Sequence, residues 1–311
     1  MRSLLFIMMT MGFIMHTVTE ASAQSGAGSL TGPGFGLEAS YLPAAHYIRP
    51  EDSLKMPANS RIQRLSMAAA FNLYTKSDTA TGAFRQWSIG MSGHYMRFNN
   101  QEYEKMVMPE KLLGTSIALQ HVRSLRNRWS AMMLISGGIY SDMEKYNYDD
   151  IFLTGGVLFI KQHNSKFSYG FGAMLTNSFG TPMVLPGLLL QFNTGKKINV
   201  EIILPEKFAL SYQVNPLLKS SIAVRMNGGA YDVENQADNR RLMAYKEMTA
   251  GWENDFRLTK HLHFCVAGGA ALLRSVDYRK KSLSEMFKTR PEHRLEPNFF
   301  ASAGIRVSFN Q

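Results

Sequence analysis

Three short stretches carry residue types that do chemistry in other settings. "HLHFC" sets His261 and His263 two apart. On a strand that spacing points both side chains to one side, where a His-x-His pair can share a metal ion. Cys265 shares the face, but four residues of strand span about 13 Å, too far for one site. Two ligands need help from another strand, so the plainer reading is a pair of inward histidines beside a turn. "HNS" offers His163 and Ser165, the types of a base and a nucleophile, which must lie within hydrogen-bond reach. They fall in a short turn, whereas a lipid-cleaving Ser–His pair belongs on strands facing outward at the membrane surface. "NTGKK" has Gly195 and Lys196 without the upstream glycine of a phosphate loop, and "YGFGAM" gives Gly170 and Gly172 without a third. Glycines in an alternating strand let neighbours bend or pack closely. These motifs assemble no catalytic or metal-ligating set, so neither enzyme activity nor a cofactor is expected.

Any site in this chain must be positioned by strands. Runs of alternating polarity occupy residues 34–43, 62–76, 84–98, 112–122, 128–140, 151–161, 167–178, 183–193, 198–205, 208–214, 219–231, 243–258, 262–276 and a closing run from Asn298. That closing run, "NFFASAGIRVSF", places Phe299, Ala301, Ala303, Ile305, Val307 and Phe309 on one face against a small or polar set that Phe300 interrupts. A strict period of two means a strand with one apolar and one wet face. Many runs exceed 10 residues, the length of a tilted membrane strand rather than of a soluble one. The connections alternate. Those at 44–61, 99–111, 141–150, 232–242 and 277–297 are long and charged, while "RSLRN", "QHNSK", "NPLL" and "TKH" are short. Short turns at one rim and long loops at the other are the habit of an outer-membrane barrel. Two connections, "FGTP" (179–182) and "EK" (206–207), are short where the alternation calls for long ones. The fold expected is all-β: an antiparallel transmembrane β-barrel of 14 strands, with 12 as the alternative. A secreted β-sandwich shares the turns but needs shorter strands and a polar outer face.

The first residues set the compartment. Arg2, the apolar run Leu4 to Met15 and "ASA" ending at Ala23 form a secretory signal, leaving 24–311 as the barrel. Cys265 is the single cysteine, so no intramolecular disulfide holds the chain, and no later run of 18 apolar residues makes a spanning helix. Mean hydropathy is −0.16, as expected of strands that alternate lipid-facing and lumen-facing residues. The formal charge is +10. An exported basic protein meets lipid phosphates rather than nucleic acid.

"ISGGIYSDMEKYNYDDIFLTGGVLFIKQHNSKFSYGFGAML", "LPGLLLQF" and "INVEIILPEKFALSYQVNPLLKSSIAVRMNGGAYDV" together resemble a family of outer-membrane β-barrel proteins from Bacteroidota-type bacteria, classified only as a domain of unknown function. The resemblance covers roughly residues 130–310. It implies a barrel in the outer membrane with both termini periplasmic, and supplies no catalytic residues. The closing strand likewise resembles the C-terminal signal read by barrel-insertion machinery, although Asn310 and Gln311 follow its last aromatic.

The inward faces carry the remaining chemistry. Alternation turns Arg64, Lys219, Arg225, Glu247, Glu253, Asp255, Arg257 and Arg306 toward the lumen. Such charges either guide ions through a pore or pair across the lumen and close it. The function expected is a passive pore for small polar or anionic solutes. The alternative is a non-enzymatic surface or assembly barrel with a closed lumen, and a lipid-modifying enzyme ranks third. The last loop holds Arg279, Lys280, Lys281, Lys288, Arg290 and Arg294, which suit lipid phosphates or a partner.

Overall fold

The computed structural model describes residues 33–78, 82–103, 107–176, 183–195, 197–234, 241–280 and 292–309. The expected signal peptide, 1–23, lies outside them. Each of the fourteen alternating runs is a strand: β1 (Gly34–Ile48), β2 (Lys55–Asp78), β3 (Ala83–Gln101), β4 (Lys111–Ser124), β5 (Trp129–Ser141), β6 (Ile151–Gln162), β7 (Phe167–Thr176), β8 (Met183–Asn193), β9 (Ile198–Leu204), β10 (Lys207–Asn215), β11 (Leu218–Asp232), β12 (Leu242–Arg257), β13 (Leu262–Arg279) and β15 (Asn298–Ser308). A three-residue strand, β14 (His293–Leu295), bridges β13 and β1. Consecutive strands pair antiparallel. The ring closes where β15 joins β13 on one side and β1 on the other, from Gly34↔Ser308 to Tyr41↔Ala301. The result is a closed 14-strand antiparallel barrel, not a 12-strand one.

Closure follows from the medium the outer face implies. Leu65, Met91, Ile117, Ile135, Leu153, Phe171, Leu188, Phe208, Ile222 and Ile305 all point outward and are exposed. Toward the rim where β1 begins and β15 ends, Trp129 packs edge-on against Tyr169 and Phe171, Lys161 lies 5.3 Å from the Trp129 ring centre, and Lys197 lies 5.6 Å from that of Tyr212. Aromatic rings flanked by lysines suit the boundary between hydrocarbon and headgroups. In hydrocarbon every strand edge must be paired, which a ring achieves.

The strands are unequal in length, and this corrects the loop boundaries expected from the sequence. The segments expected as long loops at 44–61 and 99–111 are partly strand, since β1 runs on to Ile48, β2 starts at Lys55 and β3 reaches Gln101. By contrast, β7 to β10 are short, with β9 holding seven residues. Past the tops of β6 to β10, the long strands close a second, smaller ring of their own. β11 meets β5 in a parallel bridge, Asp232↔Ser141, and the Asp142 N–H donates to the Asp232 carbonyl at 3.2 Å.

Ile135 is 62% exposed near the middle of β5, so Ile135→Arg is expected to cost about 2–4 kcal/mol of folding into a bilayer. Tyr148, 92% exposed above the apolar belt, should accept arginine at nearly no cost. Urea titration of vesicle-refolded protein measures the difference.

Candidate functional site

The lumen divides into a charged lower part, toward the start of β1 and the end of β15, and a packed upper part. On β11, β12, β13, β15, β1 and β2 the inward positions carry ions, and nearly all are paired. Arg64 reaches from β2 to Glu247 on β12 through two parallel bonds, Nη1 to Oε1 at 3.0 Å and Nη2 to Oε2 at 2.7 Å. The Tyr245 hydroxyl donates to the same carboxylate at 2.5 Å. Arg225 holds Glu253 in the same bidentate manner at 2.6 and 2.8 Å. Asp255 is shared by Arg306 and by His263, whose Nδ1 lies 2.7 Å away. Lys207 donates to Glu201 at 2.6 Å.

Strand register explains why these partners meet. Arg225 and Glu253 lie two inward steps apart on the β11–β12 ladder, where Ser221 faces Glu253, Ala223 faces Gly251 and Arg225 faces Thr249, so the arginine reaches across the small Ala223–Gly251 pair. Asp255 sits opposite Cys265, and Arg306 is paired with His263 across the next ladder. The Arg64–Glu247 pair is different, because β2 and β12 are not neighbours and the contact crosses the lumen. Of the eight inward residues expected, the structure brings six into these three groups. Lys219 and Arg257 stand exposed near the chain-terminal rim and make no ion pair among the described residues.

Above the Arg64–Glu247 pair the lumen is filled. Leu42, Ile62, Met96, Phe98, Leu112, Tyr140, Tyr231, Met243 and Val276 converge from eight strands and are almost completely buried. His94 on β3 crosses to Tyr231 on β11, Nε2 to hydroxyl at 2.6 Å. A Cβ at Gly114 would lie 2.3 Å from the His94 ring and 2.8 Å from Tyr140, so glycine is required there. The β3–β4 connection adds to the plug. Tyr103 shares a hydrogen bond with Ser60 at 2.9 Å, Met108 is buried, and the Tyr278 hydroxyl donates to the Val107 carbonyl at 2.6 Å. Outside this core, Arg241 is bound to Asp232 and Glu234, while Lys246 and Arg279 enclose the buried Asp277.

The sequence reading missed Arg274, His94, Tyr231 and the Lys207–Glu201 pair. Arg274 is fully buried beneath the plug and donates to the Glu296 carbonyl at 3.1 Å. A bulge in the β12–β13 ladder, between Thr249↔Ala271 and Met248↔Leu273, shifts the alternation of β13 and so places Arg274 inward opposite Glu247; its burial depends on contacts distant in sequence.

The other sequence candidates are dispersed. His163 and Ser165 lie in the turn after β6 with no hydrogen bond between them among the described residues, and the His163 N–H bonds the Phe167 carbonyl. His261 Nδ1 lies 3.1 Å from the Ser308 carbonyl, and no cluster of three potential metal ligands occurs among the described residues. In the last connection Arg279 turns back onto Asp277 and Arg294 reaches Glu292 at 3.5 Å. Lys280 is exposed, and Lys281, Lys288 and Arg290 lie outside the described residues.

The chain belongs to the family described as a domain of unknown function, DUF6268, whose profile matches residues 19–308. No curated protein sequence matches it. Solved structures similar to it are outer-membrane barrels. The TodX monoaromatic hydrocarbon channel is 9% identical over 89% of this chain and 90% of its own, with a TM-score of 0.48. The NanC porin is 6% identical over 88% and 100%, at 0.38. The COG4313 outer-membrane channel from Pseudomonas putida F1 is 9% identical over 88% and 95%, also at 0.38. At these TM-scores the barrel assignment rests on the strand pairing described above.

Two outcomes follow from the lumen. Arg64→Met strands a buried carboxylate and should cost about 3–5 kcal/mol, most of it recovered in the double variant with Glu247→Gln, read by urea unfolding in vesicles. In the plug, burial holds His293 below its ordinary pKa against the opposing pull of Glu51 and Asp277, and its Nδ1 sits 2.5 Å from the Tyr47 hydroxyl. The unfolded state therefore binds this proton more readily, so the group's contribution is intact above the ordinary histidine value and is lost as pH falls below about 6.5. Amide exchange around β14 is expected to quicken between pH 7.5 and 5, and His293→Gln should flatten that dependence.

Proposed function

We propose that the protein is an outer-membrane channel for small polar solutes whose axial route is closed, in this conformation, by the apolar plug. The observation that carries the reading is the charged lower lumen. Ionic side chains on six strands are expensive to place inside a barrel, and they make sense where water and solute reach them. Signal-directed export, cleavage after Ala23 and periplasmic chain ends complete the picture. The strand that insertion machinery would read is β15, where Phe309 stacks on Phe71 at 5.4 Å between ring centres.

Anion preference is expected to be slight. Arg64, Arg225 and Arg306 each face a carboxylate, so the field of the wall is largely cancelled, and Lys219 and Arg257 supply what bias remains. The alternative, a permanently closed barrel that works through its surface, is favoured by the same plug, whose buried side chains fill the upper lumen among the described residues.

Single-channel current separates the two. Protein from Gln24 onward, refolded and placed in a planar bilayer with unequal salt on the two sides, should conduct rarely and weakly. Replacing both Tyr140 and Tyr231 with alanine should give steady steps with a small anion preference, reversed by Arg225→Glu. Silence from both forms, each shown folded by heat-shifted gel mobility, would leave the closed barrel as the better account.

A further inference from the structure

The wall of the barrel is uneven, and its lowest point lies beside an apolar cavity. The β8–β9 ladder stops at Leu188↔Leu204, so Met183 to Gly187 of β8 have no partner on that side. The β10–β11 ladder stops at Lys207↔Arg225, and past it only the Met226 N–H bonds the Glu206 carbonyl, at 2.9 Å. Among the described residues no strand stands between Met183–Gly187 of β8 and Asn227–Asp232 of β11. The β9–β10 hairpin, tipped by Pro205 and Glu206, is the sill of this gap.

The height of the sill shows what the gap faces. Seven residues of β9, at about 3.3 Å each and tilted about 40°, rise about 18 Å, short of the ~25 Å apolar band of such barrels. The gap therefore opens at the level of lipid chains. Its outer border agrees: Val184 is 70% exposed, and Leu175, Leu188, Leu204 and Phe208 are exposed with it. A free strand edge in hydrocarbon leaves polar groups unmet unless they line a cavity. Pro186, within the free stretch, removes one donor, and proline inside a strand is confined to such edges.

Behind the gap lies a cavity that is partly open to the outside. Met132, Leu158, Met174, Leu189 and Ile203 line it from the inner face, and Leu175 and Leu188 from the outer face, so it passes through the wall. Ser116, Ser136, Tyr140 and Thr154 supply hydroxyl groups at its upper end, and Glu206 on the sill is the lone charged residue in its lining. This side of the lumen is apolar where the opposite side is ionic. Apolar walls with a few hydroxyls suit an uncharged molecule that is mostly hydrocarbon with one or two hydrogen-bonding groups. A carboxylate would meet Glu206 rather than a free cation, because Lys207 beside it is held by Glu201.

We propose that this cavity binds an uncharged, largely apolar small molecule, which enters sideways from the membrane between β8 and β11. The proposal rests on the channel reading only for what happens beyond the cavity; binding itself needs no axial passage.

The probe is N-phenyl-1-naphthylamine, a neutral aryl amine that fluoresces in apolar surroundings, titrated into phosphatidylcholine vesicles with and without refolded protein. Saturable binding of one probe per chain above the lipid background is expected. Gly187 faces the cavity, and a Cβ there meets only the Leu158 side chain at 3.6 Å, so a larger group is admitted without backbone movement. Gly187→Trp should weaken binding at least tenfold, while Leu65→Ala, on the far outer face, should leave it unchanged. Glu206→Trp, which raises the sill, should slow probe capture severalfold with little change in affinity. All variants are compared as folded protein by heat-shifted mobility. No saturable binding, or equal binding by Gly187→Trp, would overturn the site. Capture that ignores Glu206→Trp but quickens when Tyr140 and Tyr231 are both alanine would overturn lateral entry. Loss of the site with the plug-dependent current preserved would remove this inference and leave the channel standing.

Discussion

The structure depends on one constraint: a sheet in hydrocarbon must close on itself so that its N–H and C=O groups are paired. β15 meets this at the level of the whole ring by joining β13 to β1. Fourteen strands of unequal length cannot meet it with one circumference at every height. Above the short strands the ring loses five members, and the remaining wall must contract until β11 touches β5. Contraction brings opposite walls within side-chain reach, which is why Tyr231 bonds His94 and why a hydrophobic core forms inside a barrel at all. The plug is thus a consequence of strand length rather than a separate domain.

The same geometry accounts for the charges. A lumen lined by free arginines needs water around each of them, and where the wall contracts that water is gone. Arg64 lies at the boundary, below the plug, and its carboxylate partner comes from the far wall with bidentate geometry. Lower down, partners come from neighbouring strands, as for Arg225 and Glu253. At the rim, Lys219 and Arg257 stand exposed, since solvent meets their needs. Pairing tightens as the lumen narrows, the order expected when desolvation decides whether a charge must be neutralised.

Much of this was legible in the sequence, for a definite reason. Alternation with a period of two fixes the inward or outward sense of each residue on a strand up to the next bulge, so Arg225, Glu253 and Arg306 are inward without knowledge of their neighbours. Two further features of the sequence mark the uneven wall. "FGTP" and "EK" broke the pattern of long connections, and they mark the low wall; the proline in "MVLPGLLL" marks its free edge. The plug was not legible. Most of its members, such as Leu42, Ile62, Phe98, Leu112, Tyr140 and Tyr231, sit at the ends of the alternating runs, a few such as Tyr47 and Met108 in segments that read as loop, and its contacts join β3 to β11 and to β12. Local periodicity carries no information about which inward residues meet across a lumen, nor about where a ring narrows. His94 illustrates the limit, since its face could be assigned and its burial could not; for Arg274 the bulge in the β12–β13 ladder hides the face as well.

One strand belongs to both features. The lower half of β11 carries Arg225 in the ionic lattice, and its upper half borders the low wall and then closes on β5. That upper half is held by β12 on one side alone, from Asn227↔Glu247 to Asp232↔Leu242, and by the single bridge at its end. Its sequence from Asn227 is "NGGAYD", with two adjacent glycines at the height where it leaves the β9–β10 hairpin. Glycine offers no side chain to pack and permits bending, so the segment able to change direction is the one that must do so. Any shift of that half moves the closure at β5, the Tyr231–His94 contact in the plug and the border of the gap together. The axial seal and the lateral opening are therefore not independent parts of this barrel; they are two edges of the same strand.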